Sequence, residues 1–368
     1  MKALGIILAG GSSETLSDYP NKSIAALPVG GSYRTIDFTM SNMTNSGVNK
    51  VAVITQYSSR SLLDHLSSAK WWDLGRKQGG LFVFTPYITN DNPFGYRGTA
   101  DAMYRNISFL KRSNEPFVII ASGKHVYKID FNDVLEYHQQ KQADITIIYK
   151  EANYEKPSNY GVMVLDENKR LIEFEEKPLE PQTNIISLGI YVIPRTLLIK
   201  LLEDVVAENR YDFVKDVIIR YRKKLKIYGY PFEGYWRCIR SIQSFFDINM
   251  DFLNKDVRDL FCKQYPYIAT KVMDEPPAKF NIGSSTKNCI VGGGSILNGY
   301  VENAVLFRKV FTGSYSFIKN AIIMDGSYIG NNCYLEYVVL DKEVVVSDGR
   351  KLVGSKENPI FLEKGSVI

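Results

Sequence analysis

ALGIILAGG, residues 3–11, is the stretch on which the reading of the fold turns. An unbroken apolar run from Ala3 to Ala9 is followed at once by Gly10 and Gly11. That is the pattern of a buried strand ending in a tight turn. It returns at residues 50–55 (KVAVIT), 116–121 (PFVIIA) and 144–149 (DITIIY). Between these runs lie segments of helical period, at residues 61–69 and 100–111. Strands alternating with helices predict an α/β, Rossmann-like domain with a mainly parallel sheet covered on both faces. Ligands bind such sheets beyond the carboxyl ends of the strands, so chemistry is expected in the loops after Ala9 and Ala121.

The character of the chain changes after about residue 275, where DEPPA (residues 274–278) reads as a linker. Beyond it apolar residues recur every six positions, at Val305, Phe311, Phe317, Ile323, Ile329 and Leu335, with Ile290 and Ile296 in step before them. A six-residue apolar step with frequent Gly and Asn predicts a left-handed parallel β-helix, one hexapeptide to each flat side. A β-meander with coincidental spacing is the alternative. The repeat slips near Asp341, so an irregular or capping last coil is expected. The division that follows is an α/β domain over 1–250, a linker over 251–278 and a β-helix over 279–368.

Composition is consistent with two domains. At 368 residues the chain exceeds the size at which a single core stops growing. Hydrophobic residues make up 45% and charged residues 23%, as in ordinary globular proteins. A net charge of +5 suits a protein that handles phosphorylated small molecules and gives no reason to expect nucleic acid. The four cysteines form no CxxC pair, so neither a zinc site nor a disulfide framework is indicated. The amino terminus carries no signal-type apolar region, and no run of about 18 apolar residues occurs. A cytoplasmic location without membrane contact is expected.

Several motifs then appear in order. They are Ile7-Leu8-Ala9-Gly10-Gly11; Gly30-Gly31-Ser32-Tyr33-Arg34 with Ile36-Asp37-Phe38; Tyr96-Arg97-Gly98-Thr99-Ala100-Asp101; Tyr160-Gly161-Val162; Glu176-Lys177-Pro178; Ser187-Leu188-Gly189; Asp212-Phe213 with Lys215-Asp216; and Trp236-Arg237. This succession closely resembles the bacterial ADP-glucose pyrophosphorylase (glucose-1-phosphate adenylyltransferase) family. The resemblance implies a nucleotidyltransferase domain followed by a β-helix used in allostery and subunit contact. The implied reaction joins ATP and glucose 1-phosphate into ADP-glucose and pyrophosphate, with Mg²⁺ neutralising the charge that develops at the α-phosphorus.

The residues that such chemistry needs are replaced. Active members carry an Arg in the phosphate loop, a Lys shortly after it and two metal-binding Asp residues. Here the Arg position is Thr15, the Lys position aligns without gaps to Ile24 (with Lys22 two positions away), and the two Asp positions are Lys124 and Cys238. Glu14 adds negative charge where triphosphate would lie, and Arg240 replaces a glycine. Like charges about 4 Å apart cost about 4 kcal/mol at an effective dielectric of about 20, and roughly twice that against a divalent ion. Each ~1.4 kcal/mol of barrier is about tenfold in rate. A thiol does not replace the carboxylate, because Mg²⁺ prefers oxygen.

No catalytic residue and no metal ligand is therefore assigned to the chain, and any Mg²⁺ is expected in a catalytic partner. The resemblance implies a vestigial nucleotide site at Leu8, Ala9, Gly10 and Gly11. It implies a sugar-phosphate site at Tyr96, Gly161, Glu176, Lys177, Ser187 and Asp216. Arg34 and Arg112 match positions where some relatives bind anionic effectors. The expected role is a non-catalytic regulatory subunit in a hetero-oligomer, such as a heterotetramer, with a catalytic homologue; glucose 1-phosphate, ATP or a sugar-phosphate effector would be its ligands. A weakly active adenylyltransferase with an atypical site and a stand-alone sugar-phosphate or nucleotide sensor are the alternatives. An acyl-transferring β-helix is set aside because His65, His125 and His138 all precede it.

Overall fold

The computed structural model describes residues 2–10, 22–75, 79–87, 95–152 and 156–368. It divides into two compact units. The first is drawn from the described parts of residues 1–11, 39–123 and 127–234, the second from those of residues 12–38, 124–126 and 235–368.

The first unit is built on a nine-stranded mixed sheet. Its strands are β1 (Ala3–Leu8), β2 (Lys50–Ile54), β3 (Gly80–Phe84), β4 (Phe117–Ser122), β5 (Ile145–Glu151), β6 (Gly161–Leu165), β7 (Leu171–Glu176), β8 (Ile185–Pro194) and β9 (Ile227–Pro231). β3, β2, β1 and β4 lie side by side and parallel, with Leu8 opposite both Ile54 and Ser122. The chain leaves β1 for β2 on one side, while β4 pairs on the other, so the crevice beyond Leu8 is the switch point of the sheet. β8 then runs antiparallel to β4, β5 and β6 and carries the sheet into a β-meander with β7. The four strands expected from apolar runs are all present within a residue or two.

The helical segment expected over 100–111 is two helices, Thr99–Arg105 and Ile107–Lys111. Asn106 separates them. Its amide donates to the Ala102 carbonyl at 2.8 Å and to the Tyr96 hydroxyl at 3.0 Å, local bonding that competes with a continuous helix. Helix Phe131–Gln140 places His138 in the interior, with Nδ1 2.8 Å from the Thr146 hydroxyl.

The second unit ends in a left-handed parallel β-helix. Its long strands are β10 (Ser285–Val291), β11 (Tyr300–Leu306), β12 (Phe317–Ile323) and β13 (Tyr334–Leu340), and two-residue strands such as Phe311–Thr312 and Tyr328–Ile329 form a second ladder. Each long strand is bent by one left-handed residue, Asn288, Asn303, Asn320 or Tyr337, with φ between 47° and 52°. Two flat sides plus the short strand make the triangular coil. Asn is among the side chains that tolerate this region best.

The coil length departs from the six-residue reading. Tyr300, Phe317 and Tyr334 are in register, so these coils take 17 residues rather than three full hexapeptides. Positions six apart therefore drift. Val305, Ile323, Ile329 and Leu335 are buried, while Phe311 and Phe317 face outward. There Phe317 stacks between Tyr300 and Tyr334, at 4.6 and 5.4 Å, and Phe311 stacks on Tyr328 at 4.8 Å. The irregular last coil is found: Lys351–Val353 and Ile360–Leu362 pair with the two halves of β13, and six residues, 354–359, replace the usual single corner residue.

One core joins the amino-terminal part of this unit to its β-helix. Ile24, Leu27, Val29 and Phe38 pack with Phe245, Phe252 and Phe261 and with Val305, Ile322 and Val339. Gly30 and Gly31 (φ 60° and 83°) make the turn between the strands Pro28–Val29 and Tyr33–Arg34. A Cβ on Gly30 would lie 2.5 Å from the Phe252 ring, and one on Gly31 2.6 Å from Ile290. Glycine is required by both conformation and space.

Two stability predictions follow from this architecture. Asn320→Val should lower the urea midpoint by the equivalent of ~1–2 kcal/mol relative to Asn320→Gly, since a β-branched residue is strained at positive φ; equal midpoints would remove the corner's conformational role. For His138, burial holds the imidazole at about 4, below the ordinary 6.5. The unfolded chain then binds the extra proton first, so stability present above pH 6.5 declines as pH falls toward 4, by up to about 3 kcal/mol. His138→Gln should flatten that limb of the denaturation profile.

Candidate functional site

The crevice at the carboxyl ends of β1 and β4 is backbone-built. The Ala9 amide donates to the Ile54 carbonyl at 2.8 Å, and the Gly123 amide to the Leu8 carbonyl at 3.1 Å. A Cβ on Gly10 would lie 3.3 Å from the Gln56 amide nitrogen, so the turn runs close to the end of β2. Leu8, Ala9 and Gly10 thus occupy the switch-point position where a nucleotide would sit. Gly11, Glu14 and Thr15 lie outside the described residues.

The sugar-phosphate candidates converge within the first unit. Gly161 pairs with Glu176 across the β6–β7 ladder. A Cβ on Gly161 would fall 2.4 Å from the Phe174 ring and 3.1 Å from Glu176 Oε2, so its bareness leaves the carboxylate its place. Lys177 follows at φ 52°, with its amide bonded to the Tyr160 carbonyl at 3.0 Å and its side chain exposed. Ser187 is buried on β8. Its hydroxyl accepts from the Gly189 amide at 3.2 Å and is hydrogen-bonded to buried Tyr191. Burial, then the charge of Glu176, then that of Asp212 raise the Tyr191 pKa, while the Ser187 bond lowers it. Glu176, Ser187, Tyr191 and Asp212 therefore form one polar cluster.

Asp216 supports that cluster through the backbone. Its Oδ2 accepts from the amides of Tyr211 and Asp212 at 3.1 and 2.9 Å, and Oδ1 lies 3.3 Å from Arg210. Its oxygens are engaged in holding the turn that presents Asp212. The same turn is tied to the Tyr96 loop: the Tyr211 carbonyl accepts from the Ala100 amide at 2.8 Å, and the Thr99 hydroxyl accepts from the Phe213 amide at 2.9 Å. Tyr96 itself is half-buried and bonded to Asn106. Asp212 lies in one of the motifs above and Tyr191 two residues beyond another, but nothing in the sequence marks either as part of the site; only the chain's return in space brings them to Glu176.

The positions of the two metal-binding Asp residues fall in the second unit. Trp236–Cys238 forms a two-stranded ladder with the strand that starts at His125, and the Ile239 amide reaches the Lys124 carbonyl at 3.2 Å. Cys238 is buried, its Sγ 3.9 Å from the Ile239 carbonyl, whereas Lys124 is exposed. His125 packs against the Trp236 ring, with centroids 5.2 Å apart. Burial first, then the charges of Lys124 and Arg240, hold this histidine well below its ordinary pKa. Two cations and a thiol do not fit Mg²⁺, which calls for carboxylate oxygens.

Ile24 is buried in the apolar core of the second unit. Lys22, the neighbouring candidate cation, is ion-paired with buried Asp341 of the β-helix, and burial lowers its pKa. Arg34 is half-buried in the second unit, its amide donating to Asp37 at 2.8 Å. Arg112 is an exposed residue of the first unit, closing the helix Ile107–Lys111. No helix among the described residues is long and apolar enough to cross a membrane.

A strand-ending crevice, an acidic cluster and a hexapeptide coil define the nucleotidyltransferase fold with a β-helix extension, and comparison with known families agrees. Residues 4–255 match the Nucleotidyl transferase family, and residues 276–358 match the GlmU-like C-terminal hexapeptide family. Proteins named glucose-1-phosphate adenylyltransferase from Bacillus cereus, Bacillus thuringiensis and Bacillus anthracis are 34% identical over 352 residues, covering 95% of this chain and 94% of each relative. The chain belongs to the glucose-1-phosphate adenylyltransferase family.

Gly161→Ala should disturb the acidic cluster specifically. The added methyl has to displace the Phe174 ring or Glu176, at ~1–3 kcal/mol of stability. Glucose 1-phosphate titrated into the folded variant should bind at least about tenfold more weakly than to the native chain, and equal affinity would place the sugar elsewhere.

Proposed function

We propose that this chain is a non-catalytic regulatory subunit of a bacterial ADP-glucose-forming pyrophosphorylase in glycogen synthesis. It acts in the cytoplasm, modulating a catalytic homologue within a hetero-oligomer. The observation that carries the reading is the charge of the Lys124–His125–Cys238–Arg240 neighbourhood. Where the reaction needs carboxylates to hold a divalent ion, two cations act together on one buried histidine. Removing the ligands and adding positive charge both raise the barrier for a metal-dependent transfer.

The sugar side supports retained binding. Gly161, Glu176, Lys177 and Ser187 keep a framework suited to glucose 1-phosphate, with Asp216 bracing Asp212. Lys177 is the phosphate partner in this reading, an ammonium on an exposed turn beside Glu176. Arg34 and Arg112 remain candidate effector contacts, and Leu8, Ala9 and Gly10 are the nucleotide-side residues in this reading. The Mg²⁺ used in catalysis then belongs to the partner subunit. A weakly active enzyme is the second reading, with Lys124 in direct contact with ATP phosphates.

The test is ADP-glucose formation by the purified chain with Mg²⁺, ATP and glucose 1-phosphate. The chain alone should stay near background, and co-expression with a catalytic homologue should give a mixed oligomer with altered rate or effector response. The triple variant Thr15→Arg, Lys124→Asp, Cys238→Asp should recover detectable turnover where each single variant does not, because ligands of one metal act as a unit. Ile24 is left unchanged there, since a lysine in that core would bury its charge. Robust turnover by the unpartnered native chain would falsify the regulatory reading.

A further inference from the structure

In the second unit, helix Ile242–Asp251 lies along the bent ladder of the β-helix and leaves a groove of about 830 Å³ beside it. That volume is within the range of small-molecule sites, about 300–1,000 Å³. One wall is a repeat. Asn288, Asn303 and Asn320 occupy the same left-handed corner of successive coils and all line the groove. Successive corners are spaced by the strand separation, about 4.8 Å. The Asn288 amide donates to the Asn303 carbonyl oxygen at 2.8 Å, joining the first two of the three stacked amides. Each amide offers a donor and an acceptor side by side.

The opposite wall carries Asp247 and Asp251. Asp247 Oδ1 accepts from Gln243 at 2.8 Å, and Asp251 Oδ2 accepts from the Tyr235 hydroxyl at 2.9 Å and from Arg237 Nε at 3.1 Å. Arg237 and Lys356 also line the space. Two acids thus meet two cations, and Arg237 is already engaged by Asp251. The lining carries no surplus positive charge for a phosphate and no surplus negative charge for a cation. At one edge the half-buried Tyr337 ring rests on the buried Phe246 ring, with centroids 6.2 Å apart, and is the aromatic side chain the groove can reach.

Charge-balanced walls with paired donors and acceptors suit hydroxyl groups, each of which donates and accepts. The accessible Tyr337 ring suits the C–H surface of a pyranose ring. We infer that this groove is a binding site for a short neutral oligosaccharide, laid along the asparagine ladder with Asp247 opposite. All the residues that line it belong to the second unit, and the sugar-phosphate candidates all belong to the first. The inference does not rest on the regulatory reading and stands whether or not the chain is catalytic.

The experiment is calorimetric titration of the intact chain with maltotriose, cellotriose and inorganic phosphate, each with and without saturating glucose 1-phosphate. One neutral trisaccharide should bind at least about tenfold more tightly than phosphate, with glucose 1-phosphate failing to compete. Asn303→Gly with Asn320→Gly keeps the left-handed backbone and removes two rungs. This double variant should lose at least about tenfold in affinity, equivalent to ~1.4 kcal/mol. Asp247→Asn, which preserves shape and the bond from Gln243, should weaken binding as well and keeps the test open if the double variant fails to fold. Absence of trisaccharide binding at millimolar concentration, preference for phosphate, competition by glucose 1-phosphate, or indifference to Asp247→Asn would each overturn the assignment.

Discussion

The first unit depends on β1 being hydrogen-bonded on both edges. Its ladders to β2 and β4 run in parallel over its length, so its end point fixes theirs. The strand reaches this position because it is apolar on both faces and because Gly5 is bare. A Cβ there would lie 2.4 Å from Sδ of Met43, on the helix Thr35–Asn45. From that constraint follow the adjacency of Ala9 and Gly123 and the crevice beyond them. On the far side of β4, strand β8 adds an irregularity between Ser187 and Tyr191, in the stretch that includes Gly189 at φ 64°. The cluster of Glu176, Ser187, Tyr191 and Asp212 is assembled across that irregularity.

In the proposed regulatory reading the framework and the chemistry are separable, the first kept and the second lost. Cys238 is 4% exposed in a strand between Arg237 and Ile239. A carboxylate at such a depth is costly unless an ion or a hydrogen-bond donor compensates it. Without a metal, a thiol is the better tenant. Lys124 is exposed and carries no such burial cost. Burial first, and then the cations beside it, hold His125 well below its ordinary pKa.

Much of this was legible in residue order. The apolar runs at 3–9, 50–55, 116–121 and 144–149 mark four strands because strands covered on both faces admit few polar side chains. The β-helix was legible as a repeat, but its coil length was not. Three six-residue steps overshoot a 17-residue coil by one residue within a single turn, so Phe311 and Phe317 read as core while lying outside. The Gly161–Glu176 pair was legible through its motifs. The bracing role of Asp216 was not, because it depends on which backbone amides a folded turn offers. Nor was the burial of Ile24, since a short buried segment with neither period nor length to mark it leaves no pattern.

The outward stack of Tyr300, Phe317 and Tyr334 has an optical consequence. Their rings lie within 8° of parallel at 4.6 and 5.4 Å, one per coil, with Lys351 above the last. The ring spacing is tied to the rise of the coil, because each ring stands on a strand whose separation from the next is set by backbone bonding. Parallel chromophores this close couple electronically, and the coupling falls steeply with distance. Near-ultraviolet circular dichroism of the β-helix therefore works as a built-in extensometer. A loosening between any two of these coils changes the signal before either coil unfolds.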